Sequence, residues 1–351
     1  MKILFVGDLR RHTRTHQRLR ALERMGHEVH GITTVPLLED GSDPHRSLGA
    51  RILYRLGAPP DDTGANAALR SVEQGDFDVL WVEKARVLRE STLRRLRLRR
   101  PRMKVAFFSE DDMMARSNRS VWFRRSLPLY DVVFTTKSRN ALPEELPRCG
   151  ARRVVFVPKT FDALLHRPVP VTADDVERLG GTAGFIGTFE NERALALLGL
   201  ARAGIPVRVW GNGWDAWRGR HERLVIEGRA VYGEDYVKAL CATDVNLGFL
   251  RKAHQDQHTD RSVEIPACGA FLLVERTDEH ARLFEEGIEA EFFGDLFELT
   301  AKAHHYIAHP DERKRIAAAG RERCLADDYS HDAALRRMLS VLFDRQDWRV
   351  A

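Results

Sequence analysis

From its first residue onward the chain alternates short apolar runs with amphipathic stretches, and this rhythm constrains the fold more than any other feature. KILFVG (2–7), EVHGIT (28–33), FDVLWV (77–82), KVAFFS (104–109), DVVFTT (131–136) and RVVFVP (153–158) read as buried strands. Between them, residues 15–25 carry Leu19, Leu22 and Met25 at helical spacing. Segments near 64–73 and over the Arg-rich stretch 87–99 also read as helices, and a loop rich in Gly, Asp and Pro follows the second strand. Strand, helix, strand in repeated order specifies a parallel sheet covered by helices on both faces, a doubly wound α/β fold.

The segment VPKTFDALLHRPVPVT (157–172) breaks the rhythm. It holds Pro158, Pro168 and Pro170 without a clear period and reads as a linker. The alternation then restarts with strands TAGFIG (182–187), PVRVWG (206–211), 223–226, DVNLGF (244–249) and AFLLVE (270–275). Helices are expected over 190–203, over 234–241 and from about 262. From 294 onward the chain reads as helical, with Leu296, Leu299, Ile307, Ile316 and Leu325 as core positions and a last amphipathic helix over 331–344. A length of 351 residues suits two domains, each with its own core. The expected layout is an N-terminal Rossmann-like domain over 1–160 and a C-terminal one over 178–328. A helical segment over 329–351 is expected to pack back on the first. Two such domains in tandem would face an inter-domain cleft with the C-terminal ends of their strands, where ligands of these folds bind.

Composition excludes more than it assigns. With 43% hydrophobic and 30% charged residues the chain is an ordinary globular protein. Cys149, Cys241, Cys268 and Cys324 are far apart and show no CxxC spacing, which argues against a disulfide framework or zinc ribbon and fits reduced thiols in the cytoplasm. The start, MKILFVGDLRR, has too short an apolar run for a signal peptide, and no stretch approaches a membrane span. The net charge of +5, carried mostly by Arg, suits contact with phosphates or peripheral contact with an anionic membrane surface.

The first strand is followed by GDLRRHTRTHQ, where a dinucleotide fold would carry GxGxxG; only Gly7 is present. Arg10, Arg11, His12 and Arg14 form a basic loop there, either solvated or touching phosphate or acceptor. At FFSEDD (107–112) three acids follow a strand end. Either Ser109, Asp111 or Asp112 caps a following helix, or Asp111 and Asp112 orient an acceptor or serve as general base. In the second half, GFIGTFENER puts Arg193 in the first turn of a helix, next to the Gly187 turn. A helix start is an anion site, which an Arg strengthens; the alternative is an exposed helix Arg. The stretch 244–287 is the most informative. A polar loop with Arg251, Lys252 and His254 leads to Asp256 and then to the helix signal RSVEIPACG, which Thr259, Asp260 or Ser262 can cap. Pro266 is expected in its first turn and Glu264 near its N-terminus. His305 and His309 in HHYIAH stand at i, i+4 without a third ligand, so no metal site is expected. STLRRLRLRRPR (91–102) reads as a helix with leucines inward and arginines solvated; without aromatic interleaving, no nucleic-acid role is expected.

The order of strand, polar loop, acid, seven residues, Glu, ACG and apolar strand resembles the donor site of the retaining GT-B transferases of glycosyltransferase family four, with Asp256 where that family has Glu. More closely, the chain is similar to the CgeB-like glycosyltransferases from about residue 105 to 325. The segments that carry the likeness are EDDMM, YDVVFTTKSRN, FIGTFENER, VWGNGW and above all HTDRSVEIPACGAFLLVERTDEHARLFEEGIEAEFF. The resemblance implies a GT-B fold with the donor site in the C-terminal half. It places Arg193 at the donor diphosphate, joined by Arg251 and Lys252. Glu264 falls on the ribose, backbone near Val231 and Tyr232 on the base, and Thr259, Asp260, Arg261 and Ser262 on the loop under the phosphates.

The function this implies is transfer of a hexosyl group from a UDP-, GDP- or dTDP-sugar to a glycan, lipid-linked or protein acceptor in surface glycan synthesis. Retention of configuration and independence of metal and cofactor are expected with it. The alternatives are a sugar-nucleotide epimerase of the same fold and a non-catalytic nucleotide-sugar-binding protein.

Overall fold

The computed structural model describes residues 1–36, 47–252 and 255–344. The chain divides into two units, one of Met1–Pro158 with His331–Ala351, the other of Lys159–Ser330.

In the first unit six strands, β1 (Lys2–Gly7), β2 (Glu28–Thr33), β3 (Val79–Glu83), β4 (Lys104–Ser109), β5 (Val132–Thr135) and β6 (Val154–Phe156), form one parallel sheet in the order β2-β1-β3-β4-β5-β6. The inner strands are apolar without alternation because helices cover both faces. Leu4, Val6, Leu80, Val82, Val105 and Phe107 fill one face. Ile3, Phe5, Val79, Trp81, Ala106 and Phe108 fill the other, against Leu19 and Leu22 of helix Arg14–Arg24 and Leu335, Met338 and Leu342 of helix His331–Leu342. The Arg-rich helix Glu90–Arg99 buries Leu93 and Leu96 and pairs Arg94, Arg95 and Arg97 with Glu90, Glu73 and Asp131. Of the loop expected after β2, residues 37–46 lie outside the described residues, and Leu48–Arg55 is a helix.

In the second unit β7 (Gly181–Ile186), β8 (Val207–Trp210), β9 (Leu224–Ile226), β10 (Thr243–Gly248), β11 (Leu272–Glu275) and β12 (Glu291–Phe293) form a parallel sheet in the order β12-β11-β10-β7-β8-β9. The strand order reverses between β7 and β10, the place where such sheets take ligands. Residues 159–172 belong to this unit; Lys159 and Asp162 are buried in it.

Three expectations are corrected. Leu296 and Leu325 are 45% and 52% exposed instead of buried. Helix Pro310–Ala326 buries Arg313, Ile316, Ala317, Gly320 and Cys324. Leu325 lies one residue, about 100°, past that stripe. Leu296 opens helix Leu296–Ala308 and rests its methyls over Gly199 at the surface. Pro266 stands at the sixth of seven residues in helix Arg261–Ala267, where the helix ends rather than begins.

Candidate functional site

The site builds on the loops that follow β7 and β10. Gly187 follows β7, and its N–H donates to the Trp210 carbonyl at 2.8 Å. A Cβ there would lie 2.7 Å from the Phe185 ring and 3.4 Å from Nη1 of Arg261, so any side chain would fill the space that loop and guanidinium share. The chain then enters helix Asn191–Arg202, whose N-terminus no side chain caps.

Arg193 in the first turn of that helix is not the exposed residue its position allowed. It is 4% exposed. Its Nη1 donates to the Thr188 carbonyl at 3.1 Å, Nη2 lies 3.7 Å from Glu190, and Cζ stands 5.6 Å from the centre of the Phe185 ring. Arg261 brings its own Cζ to 5.4 Å from the same ring. Among the described residues, neither guanidinium Nε has a hydrogen-bond partner, nor does the buried Oγ1 of Thr259. Burial, then Arg261 and Arg251 nearby, push the Arg193 pKa down to about 10, against the pull of Glu190 and Asp256. Arg251 pairs with Glu190 at 2.6 Å and Lys252 with Glu192 at 3.0 Å. The switch point thus gathers Gly187, Arg193, Arg251, Lys252, Asp256 and Arg261. His254, expected with them, lies outside the described residues.

Beneath this layer lies a buried polar scaffold. No side chain caps helix Arg261–Ala267 from its N-cap position, Asp260. Instead Ser262 Oγ accepts the Thr259 N–H at 3.0 Å and shares a 2.7 Å bond with His280 Nε2. His280 Nδ1 faces the Glu275 carbonyl at 2.8 Å, so it carries the proton and Nε2 accepts from the Ser262 hydroxyl. Burial, then His258, hold the His280 pKa down at about 3, which keeps the ring neutral. His258 Nε2 accepts the Lys159 N–H at 2.8 Å, which leaves its Nδ1 to donate to Glu279 at 2.5 Å. Lys159 in turn reaches Asp260 at 3.1 Å. Glu264 is 1% exposed and takes the Tyr236 hydroxyl at 2.6 Å, with His166 at 3.8 Å. Tyr236 belongs to helix Gly233–Cys241, which Tyr232 opens, so Val231 and Tyr232 are tied to Glu264 through one helical turn. Sequence reasoning missed Lys159, His166, Tyr236, His258, Glu279 and His280. Their only signal was polarity at positions that a strand-and-helix pattern leaves unexplained.

In the first unit Asp111 pairs with Lys84, whose Nζ also lies 3.4 Å from Asn118 Oδ1. Asp112 Oδ1 accepts from the Met114 N–H at 2.9 Å and from Asn140 Nδ2 at 2.9 Å. No helix starts there; the next, Val121–Ser126, is capped by Ser120, so the capping expectation for Ser109, Asp111 and Asp112 is corrected to the bracing of a turn. A second buried centre went unread. Arg18 grips Glu83 through Nε and Nη2 at 2.8–3.0 Å and reaches Glu110 at 3.1 Å, above the Phe108 ring. Burial opposes its charge, but Glu110 and Glu83 outweigh burial and raise its pKa. In the basic loop Arg10 folds back onto Asp8 at 2.7 Å. His305 pairs with Glu312 at 2.8 Å and stacks on His309 at 4.2 Å. Among the described residues no group of three or more His, Cys, Asp or Glu is arranged to hold a metal ion. No helix there is long and apolar enough to cross a membrane.

Two parallel six-stranded sheets, the second with arginines at its switch point, define a protein of the GT-B fold, with two Rossmann-like domains. Residues 192–340 match the model of the glycosyl transferase-like family. Among solved structures, sucrose-phosphate synthase from Thermosynechococcus elongatus is similar at a TM-score of 0.67 and 14% identity, with 98% of each chain covered. HepE from Anabaena, in complex with UDP-glucose, is similar at 0.62 and 13% identity, over 98% of this chain and 100% of that one. A glycosyltransferase from Rickettsia africae is similar at 0.65 and 11% identity, with 98% of each covered. No curated protein matches the chain by sequence. Fold and family match together support a glycosyltransferase.

Proposed function

We propose that the protein transfers a hexosyl group from a nucleoside-diphosphate sugar to a glycan, lipid-linked or protein acceptor. In this reading the donor is held at the switch point of the second unit. The observation that carries it is the pair of guanidinium groups on one aromatic ring, that of buried Arg193 and that of half-buried Arg261, each with a buried Nε lacking a partner, at an uncapped helix start. Leaving such a donor unsatisfied costs about 1–3 kcal/mol, which a phosphate oxygen would recover. Negative charge develops on the diphosphate as the bond from the anomeric carbon to its oxygen breaks and the electron pair leaves with it. Fixed cations there lower the barrier. Arg251 and Lys252 add charge, and the turn at Gly187 lets the donor approach. Val231 and Tyr232 offer backbone to the base, and Glu264 accepts from the ribose. Thr259, Asp260, Arg261 and Ser262 form the floor, and Asp256 faces the sugar. Asp111 orients the acceptor hydroxyl, whose oxygen bonds the anomeric carbon while its proton passes to the departing diphosphate, and Asp112 braces that loop.

Retention of configuration and independence of metal follow from the likeness to family four and the CgeB-like enzymes, with the cations neutralising the diphosphate themselves. HepE was solved with UDP-glucose, which supports a UDP-sugar as the first donor to try. Thermal shift against UDP, GDP and dTDP and their sugars tests the reading. A ligand at a hundred times its dissociation constant stabilises by about 2.7 kcal/mol. Activity that survives EDTA is expected, and no shift with any nucleotide would sink the proposal. A second reading, sugar-nucleotide epimerase, draws on the likeness to a protein described as a UDP-N-acetylglucosamine 2-epimerase, from Listeria monocytogenes, at a TM-score of 0.56. Product analysis with donor alone separates the two.

A further inference from the structure

Helix Leu48–Arg55 of the first unit turns its apolar face the wrong way for a soluble domain. None of its eight residues, LGARILYR, is buried. At about 100° per residue, Leu48, Ile52 and the following Leu56 span an arc of roughly 80°, which Leu53 widens to roughly 140°. These four are 72%, 49%, 69% and 42% exposed. Ala50 and Tyr54, on the far side of the wheel, are the half-buried pair, and Cζ of Arg86 stands 5.5 Å from the Tyr54 ring. The helix therefore rests on the protein through Ala50 and Tyr54 and presents a continuous aliphatic stripe outward. An amphipathic helix on a globular core does the reverse.

The charge carried by the helix and the turn after it has one sign. Arg51 and Arg55 flank it, both exposed, and no acid occurs from Ser47 to Pro60. The helix is also tied to a basic segment. The Val121 N–H donates to the Gly57 carbonyl at 2.7 Å, and Trp122 Nε1 to the Pro59 carbonyl at 3.2 Å. That segment carries Arg119 and the exposed Arg124 and Arg125. An aliphatic stripe edged by guanidinium groups complements a surface that offers hydrocarbon behind a layer of anions.

We propose that this face docks the protein on an anionic phospholipid bilayer, with Leu48, Ile52, Leu53 and Leu56 at the boundary of headgroups and acyl chains and Arg51 and Arg55 among the phosphates. So short a helix binds weakly and reversibly, and its electrostatic part is screened by salt. The inference stands apart from the donor site and is read without any sugar.

The test is co-sedimentation of the full chain with vesicles of phosphatidylcholine mixed with phosphatidylglycerol, against vesicles of phosphatidylcholine alone. Binding to the mixed vesicles, its loss on pure phosphatidylcholine and its weakening in high salt are expected. The double substitutions Ile52→Ser with Leu56→Ser, and Arg51→Gln with Arg55→Gln, should each weaken partitioning by roughly ten-fold or more. The side chains are exposed, so the melting temperature should hold. Failure of the parent to bind anionic vesicles overturns the proposal, as does parental binding by both variants. Sedimentation velocity without lipid supplies a further arm. A monomeric parent supports the proposal. A dimer that the Ile52→Ser, Leu56→Ser variant dissolves would make this a self-association face and overturn it.

Discussion

Arg193 and Arg261 hold their guanidinium carbons 5.6 and 5.4 Å from the centre of one ring, that of Phe185 in β7. They reach it from different helices that begin beside the two central strands of the second sheet. Burial of Arg193 and the like charge of Arg261 beside it both disfavour its charged form, in the direction of its lowered pKa. In the proposed donor site a diphosphate would recover that cost.

Stability and affinity should therefore move in opposite directions at these residues. Arg193→Met and Arg261→Met keep the aliphatic stem over Phe185 and remove the charge. Each is expected to melt at or above the parent temperature and to bind nucleoside diphosphate roughly ten-fold or more weakly. Calorimetric titration with differential scanning of the same samples reads both. Lower melting with unchanged affinity would make these arginines structural.

Glu264 and Tyr236 can be separated in the same way. Hydrogen bonds to a charged group are worth roughly 1.5–3 kcal/mol, so Glu264→Gln should weaken nucleotide binding by about ten-fold or more. Tyr236→Phe removes only the inner bond at 2.6 Å and should cost about 1 kcal/mol of stability with affinity nearly intact. Parental binding by Glu264→Gln would assign that carboxylate to packing.

The Arg18–Glu83 pair should behave as one buried unit. Removing one partner of such a pair costs about 3–5 kcal/mol because the other is left charged and alone. Arg18→Met is expected to fall in that range in urea unfolding, and adding Glu83→Gln should recover part of the loss. Simple additivity in this double-mutant cycle would show that the two are not coupled.

His280 sets a pH dependence whose sign follows from its lowered pKa. Between the ordinary value of 6.5 and about 3 the unfolded chain binds a proton at this ring that the folded chain does not. Its contribution is therefore complete above 6.5 and is lost as pH falls, by up to ~1.4 kcal/mol per pH unit. Urea unfolding across that window should show this component, and His280→Gln should flatten it. An equal slope in the variant would place the acid sensitivity elsewhere.

The division between what was legible and what was not is clearest in the second unit. GFIG, VWG, DVNLG and LLVE announced β7, β8, β10 and β11 by composition alone, and Arg193 and Glu264 stood out as candidates from a helix start and a motif. EFF (291–293), only three residues long, was not picked out as the edge strand β12. Helix Leu48–Arg55 was hidden inside a loop reading because Gly49 lies in its first turn, Gly57 follows it and its apolar stripe meets no core.

The sequence by itself determined the elements, since periodicity reports how a local segment divides between apolar and polar faces, and short-range sterics do the rest. It could not determine that Arg193 and Arg261 share Phe185, that Glu264 accepts from Tyr236, or that Lys159, placed in a linker, reaches Asp260. Each partnership joins residues on different elements, and their meeting depends on the order β12-β11-β10-β7-β8-β9. Only the assembled sheet fixes that order, because burying a polar group is tolerable only where a partner from elsewhere in the chain is already in place.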